Sequence, residues 1–327
     1  MRARVGEVAG LFLAGARAVD GADAVPDGHV RALAEAGLYG AFAPAEVGGL
    51  GMDFPAVCAA IEELASGCLA STFVWIQHFG LLRTLLDPGT PEPLRAMLPG
   101  AVHGEVRGGL ALAGLLPGAP RLTARPADGG WVLDGQAPWV SGWGQVQILL
   151  VTARGPDDGS VVTFLLDAAG QPGLAAEPLR LAAANASGTV RLSFTGVFVP
   201  GSRYVGGRPF DPVRQQAEGL RSNGSLALGV GRRCCALIGP SALDAELGQC
   251  RAALDAAGDA TMPAARARAS EFAVRAAHLL AVRHGSASAL AGDDAERLTR
   301  EAAFLLVFGS RPAIKEALLG RLTASVG

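Results

Sequence analysis

The sequence predicts a mainly α-helical protein with a β-rich block in its middle, on three observations. Up to about residue 105, apolar residues recur at helical spacing between Gly and Pro breaks. From about 106 to 212 the period falls to two, and after Pro212 four long amphipathic stretches return. A helical block, a compact run of strands and a second helical block imply separate units, 1–105, 106–212 and 213–327, and not alternating βαβ units.

In the first block, Pro55 to Leu64 carries its apolar residues at helical spacing, with Asp53 placed as N-cap. His78, in Phe73-Val-Trp-Ile-Gln-His-Phe79, lies on an amphipathic helix and fits either helix packing or a pocket wall. The Asp87-Pro-Gly-Thr-Pro-Glu-Pro93 cluster predicts a loop. In the middle block, Trp131–Asp134, Ile148–Ala153, Val161–Asp167 and Thr189–Phe194 read as strands. In the last of these, Val190, Leu192 and Phe194 alternate with Arg191 and Ser193. Arg154 to Ser160, rich in Gly, Pro and Asp, predicts a turn. In the third block, 220–238, 242–257, 263–290 and 293–322 predict helices punctuated by Pro240, Gly258, Pro263 and Gly292. Asp293 and Asp294 suit a helix N-terminus, and a break is expected between Gly309 and Pro312. Four such helices with short connections suit an antiparallel bundle.

Composition fits a soluble enzyme of the cytoplasm. The length of 327 residues allows two or three domains and a large core. Half the residues are hydrophobic, yet no charge-free run is long enough to span a bilayer, and no export signal opens the chain. A net charge of -2 gives no reason to expect nucleic acid or an acidic membrane surface. Five cysteines, an odd number and mostly on apolar helical patterns, predict reduced thiols; adjacent Cys234 and Cys235 read as small core residues. The five histidines lack metal-ligand spacing. Gly229-Val-Gly231 lies in a helical pattern without a preceding strand, so it is no dinucleotide fingerprint.

The most informative stretch is Asp134-Gly-Gln-Ala-Pro-Trp-Val-Ser-Gly-Trp-Gly144, which leads into the strand at Ile148. A Gly-punctuated turn with an aromatic, a β-branched and a small hydroxyl residue can hold a flat heteroaromatic ring, because strand-end N–H groups meet its polar edge. It equally fits a buried strand end with a packed Trp. The stretch resembles the Gly-x-x-x-Trp-(Ile/Val)-(Thr/Ser)-x-(Gly/Ala) signature of the acyl-CoA dehydrogenase family. Glu35 to Asp53 resembles that family's opening helix and its Pro-Glu-x-Gly-Gly-x-Gly loop. Leu98 to Ala111 resembles the approach to its central domain, and Leu192 to Pro200 the exit. The resemblance, which covers nearly the whole chain, implies an N-terminal helical domain, a middle β-barrel-like domain and a C-terminal four-helix bundle.

It also implies FAD as cofactor and α,β-dehydrogenation of an acyl thioester, carried by coenzyme A or a carrier protein, with electrons passed to an electron-transfer acceptor. A homodimer or homotetramer is implied in the same way. Trp139, Val140 and Ser141 match the flavin-contact motif, and Gly309 and Ser310 fall on the family's Gly-Gly loop near the adenine half of FAD. Glu316 falls at the spacing of a catalytic Glu, and equally fits a solvated residue beside Lys315; Arg251 is the nearest echo of an Arg-x-x-Phe pair that reaches a partner subunit's cofactor. The chain departs from the family in five places. Ser310 replaces the second Gly, Val307 the Gln that usually precedes the pair, and Arg311-Pro312 a more flexible segment; Arg251 lacks its aromatic, and Leu112 to Pro120 replaces a Thr-Glu-Pro-x-x-Gly-Ser-Asp segment. These departures keep two other functions open: a flavin-dependent monooxygenase on the same fold, and a non-catalytic binding or structural subunit.

Overall fold

A computed structural model describes residues 1–156, 159–211, 217–309 and 311–324. Helices α1 (Arg2–Asp20), α2 (Asp27–Glu35), α3 (Phe54–Gly67), α4 (Leu69–Leu86), α5 (Glu92–Arg95) and α6 (Leu98–His103) open the chain. Asp53 caps α3 as its sequence predicts, its carboxylate accepting the Ala56 N–H at 2.8 Å. Asp53→Ala is expected to cost about 1 kcal/mol and to lower the melting temperature by roughly 2–4 °C. The loop expected over 87–93 ends at Pro91, because Pro93 sits at the second position of α5, where its missing N–H breaks no helical bond.

Helix α4 is not the amphipathic helix its sequence predicts: from Leu69 to Leu82 it is buried or half-buried on every side, with Arg83 the exposed residue near its end, which marks a helix enclosed by neighbours. It touches α3, α6, α7 (Ala217–Ile238) and the central sheet, so it borders all three blocks.

The sheet contains β1 (Gly108–Ala111), β2 (Leu122–Ala127), β3 (Gly130–Val140), β4 (Ile148–Arg154), β5 (Ser160–Asp167), β6 (Leu174–Pro178), β7 (Val190–Pro200) and β8 (Tyr204–Pro209). Its order is β6-β7-β3-β2-β4-β5-β8, with β1 running parallel beside β4. Strands β3 and β7 pair antiparallel with two register shifts, one of them between Ala137 and Val140. That irregularity inserts Pro138 and Trp139 where β7 offers only Arg191, so the chain bulges just before the sheet ends.

After α7 come α8 (Ala242–Ala256), α9 (Met262–His284), α10 (Asp294–Val307) and α11 (Pro312–Ala324). Ser241 and Asp244 form a capping box at α8, and Asp293 caps α10 by accepting the Ala295 N–H at 2.8 Å. Pro263 does not separate helices; it is the second residue of α9. That helix ends at His284, followed by a 3-10 turn over Gly285–Ala289. Gly229 lies where α7 crosses α3: a Cβ there would stand 2.6 Å from the Glu62 carbonyl oxygen, so close helix approach accounts for the glycine.

The first and last helical segments share one continuous apolar core, while the sheet encloses its own. The shared core contains a charged cluster on α10. Arg297 donates to Glu301 at 2.9 Å and to Asp294 at 3.0 Å, and Arg297 and Glu301 are both buried. Arg300, just before Glu301, reaches Asp20 of α1 at 2.7 Å and the Ala182 carbonyl, ahead of β7, at 2.8 Å.

Candidate cofactor site

Trp139 is 65% exposed and has φ of +63°, a left-handed backbone that a residue with a Cβ adopts at a cost of roughly 1–2 kcal/mol. The β3 bulge turns the indole outward, whereas Val140 and Ser141 are buried. A strand end with a packed Trp is therefore not what forms here. Bulges of this kind re-aim side chains beside functional sites.

Behind the exposed indole the loop is held rigidly. The Ser141 hydroxyl meets the Thr189 hydroxyl at 2.8 Å, and Thr189 meets Ser187, also at 2.8 Å. The Gly142 N–H donates to the Ser187 carbonyl at 2.7 Å and the Trp143 N–H to the Gly188 carbonyl at 3.2 Å. Gln145 donates to the Val25 carbonyl at 2.6 Å, which ties the loop to the segment between α1 and α2. From the other side, a Cβ on Gly142 would lie 3.5 Å from Val74 of α4.

His78, one turn further along α4, is buried and accepts the Gly108 N–H through Nδ1 at 3.1 Å, anchoring β1. Burial pushes its pKa down to about 4, so the ring is neutral at physiological pH. It packs edge-on against Tyr39, whose phenol burial raises to about 12. Of the two roles its sequence allowed, His78 takes helix packing.

The second predicted segment lies against the neighbouring residue of the same helix. Phe73 of α4 packs edge-on against Phe308 with ring centroids 4.7 Å apart, and Gly309 follows with φ of +60°. Asn223 of α7 faces that turn, its Nδ2 lying 3.3 Å from where a Gly309 Cβ would be. Below it, fully buried Arg266 donates to the Leu305 carbonyl at 3.1 Å, placing a cation at the C-terminal end of α10, where the helix dipole favours one. Consecutive residues Phe73 and Val74 thus adjoin the Gly309 turn and the Trp139–Gly142 loop respectively. Ser310 lies outside the described residues.

Two predicted residues stand apart from this pair of loops. Arg251 forms a two-point ion pair with Glu62, which is buried on α3, and so fastens α8 to α3. Glu316 is exposed on α11, on the side away from Ile314 and Leu318, the residues that helix buries.

One cluster mimics a nucleophilic triad without the properties of one. His29 Nδ1 lies 2.8 Å from Ser71 Oγ, which donates to Cys68 Sγ at 3.5 Å, and all three residues are buried. Burial lowers the His29 pKa and raises that of Cys68, so both stay neutral, and the imidazole stacks on Phe12 at 4.5 Å. The group is a packed polar tie. Among the described residues no three side chains are grouped to hold a metal ion, and no helix is long and apolar enough to cross a membrane.

Thr189, Ser187 and Asn223 escape a reading of the sequence as site residues. Thr189 looks like the first residue of a strand. Its hydroxyl gains meaning only once β7 is known to pair with the bulged strand β3.

Residues 1–105 match the acyl-CoA dehydrogenase N-terminal domain. The chain is 28% identical over 227 residues to benzylmalonyl-CoA dehydrogenase of Aromatoleum aromaticum, a match covering 66% of this chain and 60% of that protein. Across such curated relatives it spans between 34% and 60% of their length. By fold it superposes on butyryl-CoA dehydrogenase of Megasphaera elsdenii with a TM-score of 0.81 at 18% identity, covering 98% of this chain and 97% of that one. It superposes equally fully on dibenzothiophene monooxygenase of a Paenibacillus species, with a TM-score of 0.77 at 19% identity and coverage of 99% and 97%. Those two likenesses are of fold alone. The N-terminal domain match, the sequence relatives and the fold agree: residues 1–105 match the acyl-CoA dehydrogenase N-terminal domain, and the chain as a whole is similar in sequence and in fold to acyl-CoA dehydrogenases.

Proposed function

We propose that this protein is an FAD-dependent oxidoreductase acting on an acyl thioester of coenzyme A or of a carrier protein. The observation that carries the reading is Trp139, a large aromatic side chain held outward on strained backbone in the motif whose family resemblance is to a flavin contact. Strain of this kind persists only where surrounding structure enforces it, and it clusters at ligand sites.

The residues present fit a flavin. Trp139 offers an aromatic face, buried Val140 and Ser141 provide a stiff backing, and the Gly309 turn adjoins the same helix at the position proposed for the adenine half. FAD, when bound, supplies the hydride acceptor. The chain's own work is to lay the acyl group against the ring in the space near α4 and to remove the α-proton with a base. Glu316 is the proposed base on spacing alone, since its exposed place on α11 stands apart from the two loops. Glu316→Gln is expected to lower acyl-CoA-dependent bleaching of the flavin by about 1,000-fold, within the range general-base loss produces, with FAD still bound. Unchanged turnover would remove Glu316 from the mechanism.

The apolar segment Leu112–Pro120 and the exposed position of Glu316 favour a second reading, a flavin monooxygenase. The visible spectrum with FAD, followed by anaerobic titration with acyl-CoAs, separates the two. Bleaching supports the dehydrogenase; retained colour with oxygen consumption on supply of reduced flavin supports the oxygenase. A protein that retains no FAD leaves the non-catalytic subunit. The proposed setting is the cytoplasm, with a homodimer or homotetramer passing electrons to a separate acceptor.

A further inference from the structure

We propose that Thr189 is a positioning residue for the flavin face of the site, acting through the hydroxyl chain Ser141, Thr189, Ser187 and through Trp139 without touching the ligand. This rests on the flavin reading above and deepens it by naming what holds the strained loop in its binding shape.

Each hydroxyl in the chain has one proton and two lone pairs. Thr189 Oγ1 stands 2.8 Å from both serine oxygens, so it is the shared partner of both and donates its single proton to at most one of them. The three residues are between 0% and 4% exposed, so water does not substitute for a lost partner. The backbone continues the grip. The N–H groups of Gly142 and Trp143 are held by the carbonyls of Ser187 and Gly188, and the Thr189 carbonyl accepts the Leu179 N–H at 2.9 Å. Ala184 and Gly188, both at φ of +55°, bend the 184–188 segment, whose last two carbonyls face the motif loop.

Trp139 sits two residues before Ser141, and its left-handed backbone is disfavoured on local grounds. Something beyond the residue must therefore enforce it. On one side the enforcement is the Val140–Val190 strand pair; on the other it is Ser141, fixed by Thr189. Removing the central hydroxyl frees Ser141 to turn and lets the bulge relax toward ordinary backbone. The indole then moves away from the direction in which it now points. Neither end of the chain can replace the middle, since Ser141 and Ser187 each reach Thr189 and are not themselves a bonded pair.

A double-mutant cycle distinguishes this role from a merely structural one. Thr189→Val keeps the shape and removes the hydroxyl, Thr189→Ser keeps the hydroxyl, and Trp139→Leu removes the group that Thr189 is held to position. FAD affinity would be measured by titration, with the visible flavin spectrum as the signature of the ring's surroundings. Thr189→Val is expected to weaken FAD binding about 10-fold and to shift the flavin bands, and Thr189→Ser to restore both to within about 2-fold. In the Trp139→Leu background, Thr189→Val is expected to change affinity by less than about 2-fold, because the route of its action is gone. An equal loss in both backgrounds, or no loss from Thr189→Val in the wild-type background, would overturn the proposal while leaving the flavin reading intact. A wild-type protein that takes up no FAD would overturn both. If Thr189→Val does not fold, Ser187→Ala, which removes the far end of the chain, gives the same comparison.

Discussion

Trp139→Gly is expected to weaken FAD binding by about 100-fold, or about 2.7 kcal/mol, while leaving the fold as stable as before or more stable by up to about 1 kcal/mol. The two effects have opposite signs because they come from different atoms. At φ of +63° the backbone carries a conformational cost because Trp has a Cβ, and glycine removes that cost. Against it stands glycine's greater freedom in the unfolded chain, roughly 0.5–1 kcal/mol, so the net change in stability is small and not negative. The indole contributes little packing to the folded protein, since 65% of the residue is exposed. A ligand ring lying on it would bury that surface, and aromatic contact adds about 0.5–1.5 kcal/mol beyond the area term. Trp139→Phe should therefore lie between wild type and glycine in affinity, with the backbone cost retained. FAD titration and thermal melting of the same preparations provide the check. A glycine variant that melts several degrees lower yet binds FAD normally would make the indole a packing residue.

The sequence carries the elements of this fold more fully than the geometry of its site, and the difference has physical causes. Helix limits at Asp53 and Asp293 are legible because capping is local chemistry, settled within one turn. The bulge at Pro138 and Trp139 is not, because it is a property of two strands paired across more than fifty residues, and either strand alone reads as regular. The same holds for Thr189, whose partner hydroxyls lie on a different segment or on a turn. Arg251 shows another long-range partner: spacing alone gives no sign of buried Glu62, far away in sequence, to which its guanidinium donates. The resemblance placed Trp139 and Gly309 in separate cofactor segments, and packing set both beside Phe73 and Val74 because α4 borders all three blocks.

Arg297→Met is expected to destabilise the fold by about 3–5 kcal/mol, since it leaves the buried Glu301 carboxylate without its cation. For a domain of this size the melting temperature should fall by roughly 10 °C. Glu301 already has one oxygen without a partner among the described residues, and burial pushes its pKa up, with Arg297 pulling against that shift. Removing Arg297 leaves burial unopposed. A carboxyl whose folded pKa lies above its unfolded value binds its proton more tightly in the native state. Its contribution to stability is then fully present below the unfolded pKa, about 4.3, and is lost as pH rises toward the folded value. The gap between wild type and Arg297→Met should accordingly be widest near pH 8 and narrow on acidification to pH 5. Glu301→Gln in the Arg297→Met background should recover part of the lost stability, because a neutral amide costs less to bury than an unpaired carboxylate. Thermal melts of the single and double variants at the two pH values test this. A gap that does not change with pH, or a double variant less stable than Arg297→Met, would place the loss in the packing of the arginine stem and not in the buried charge.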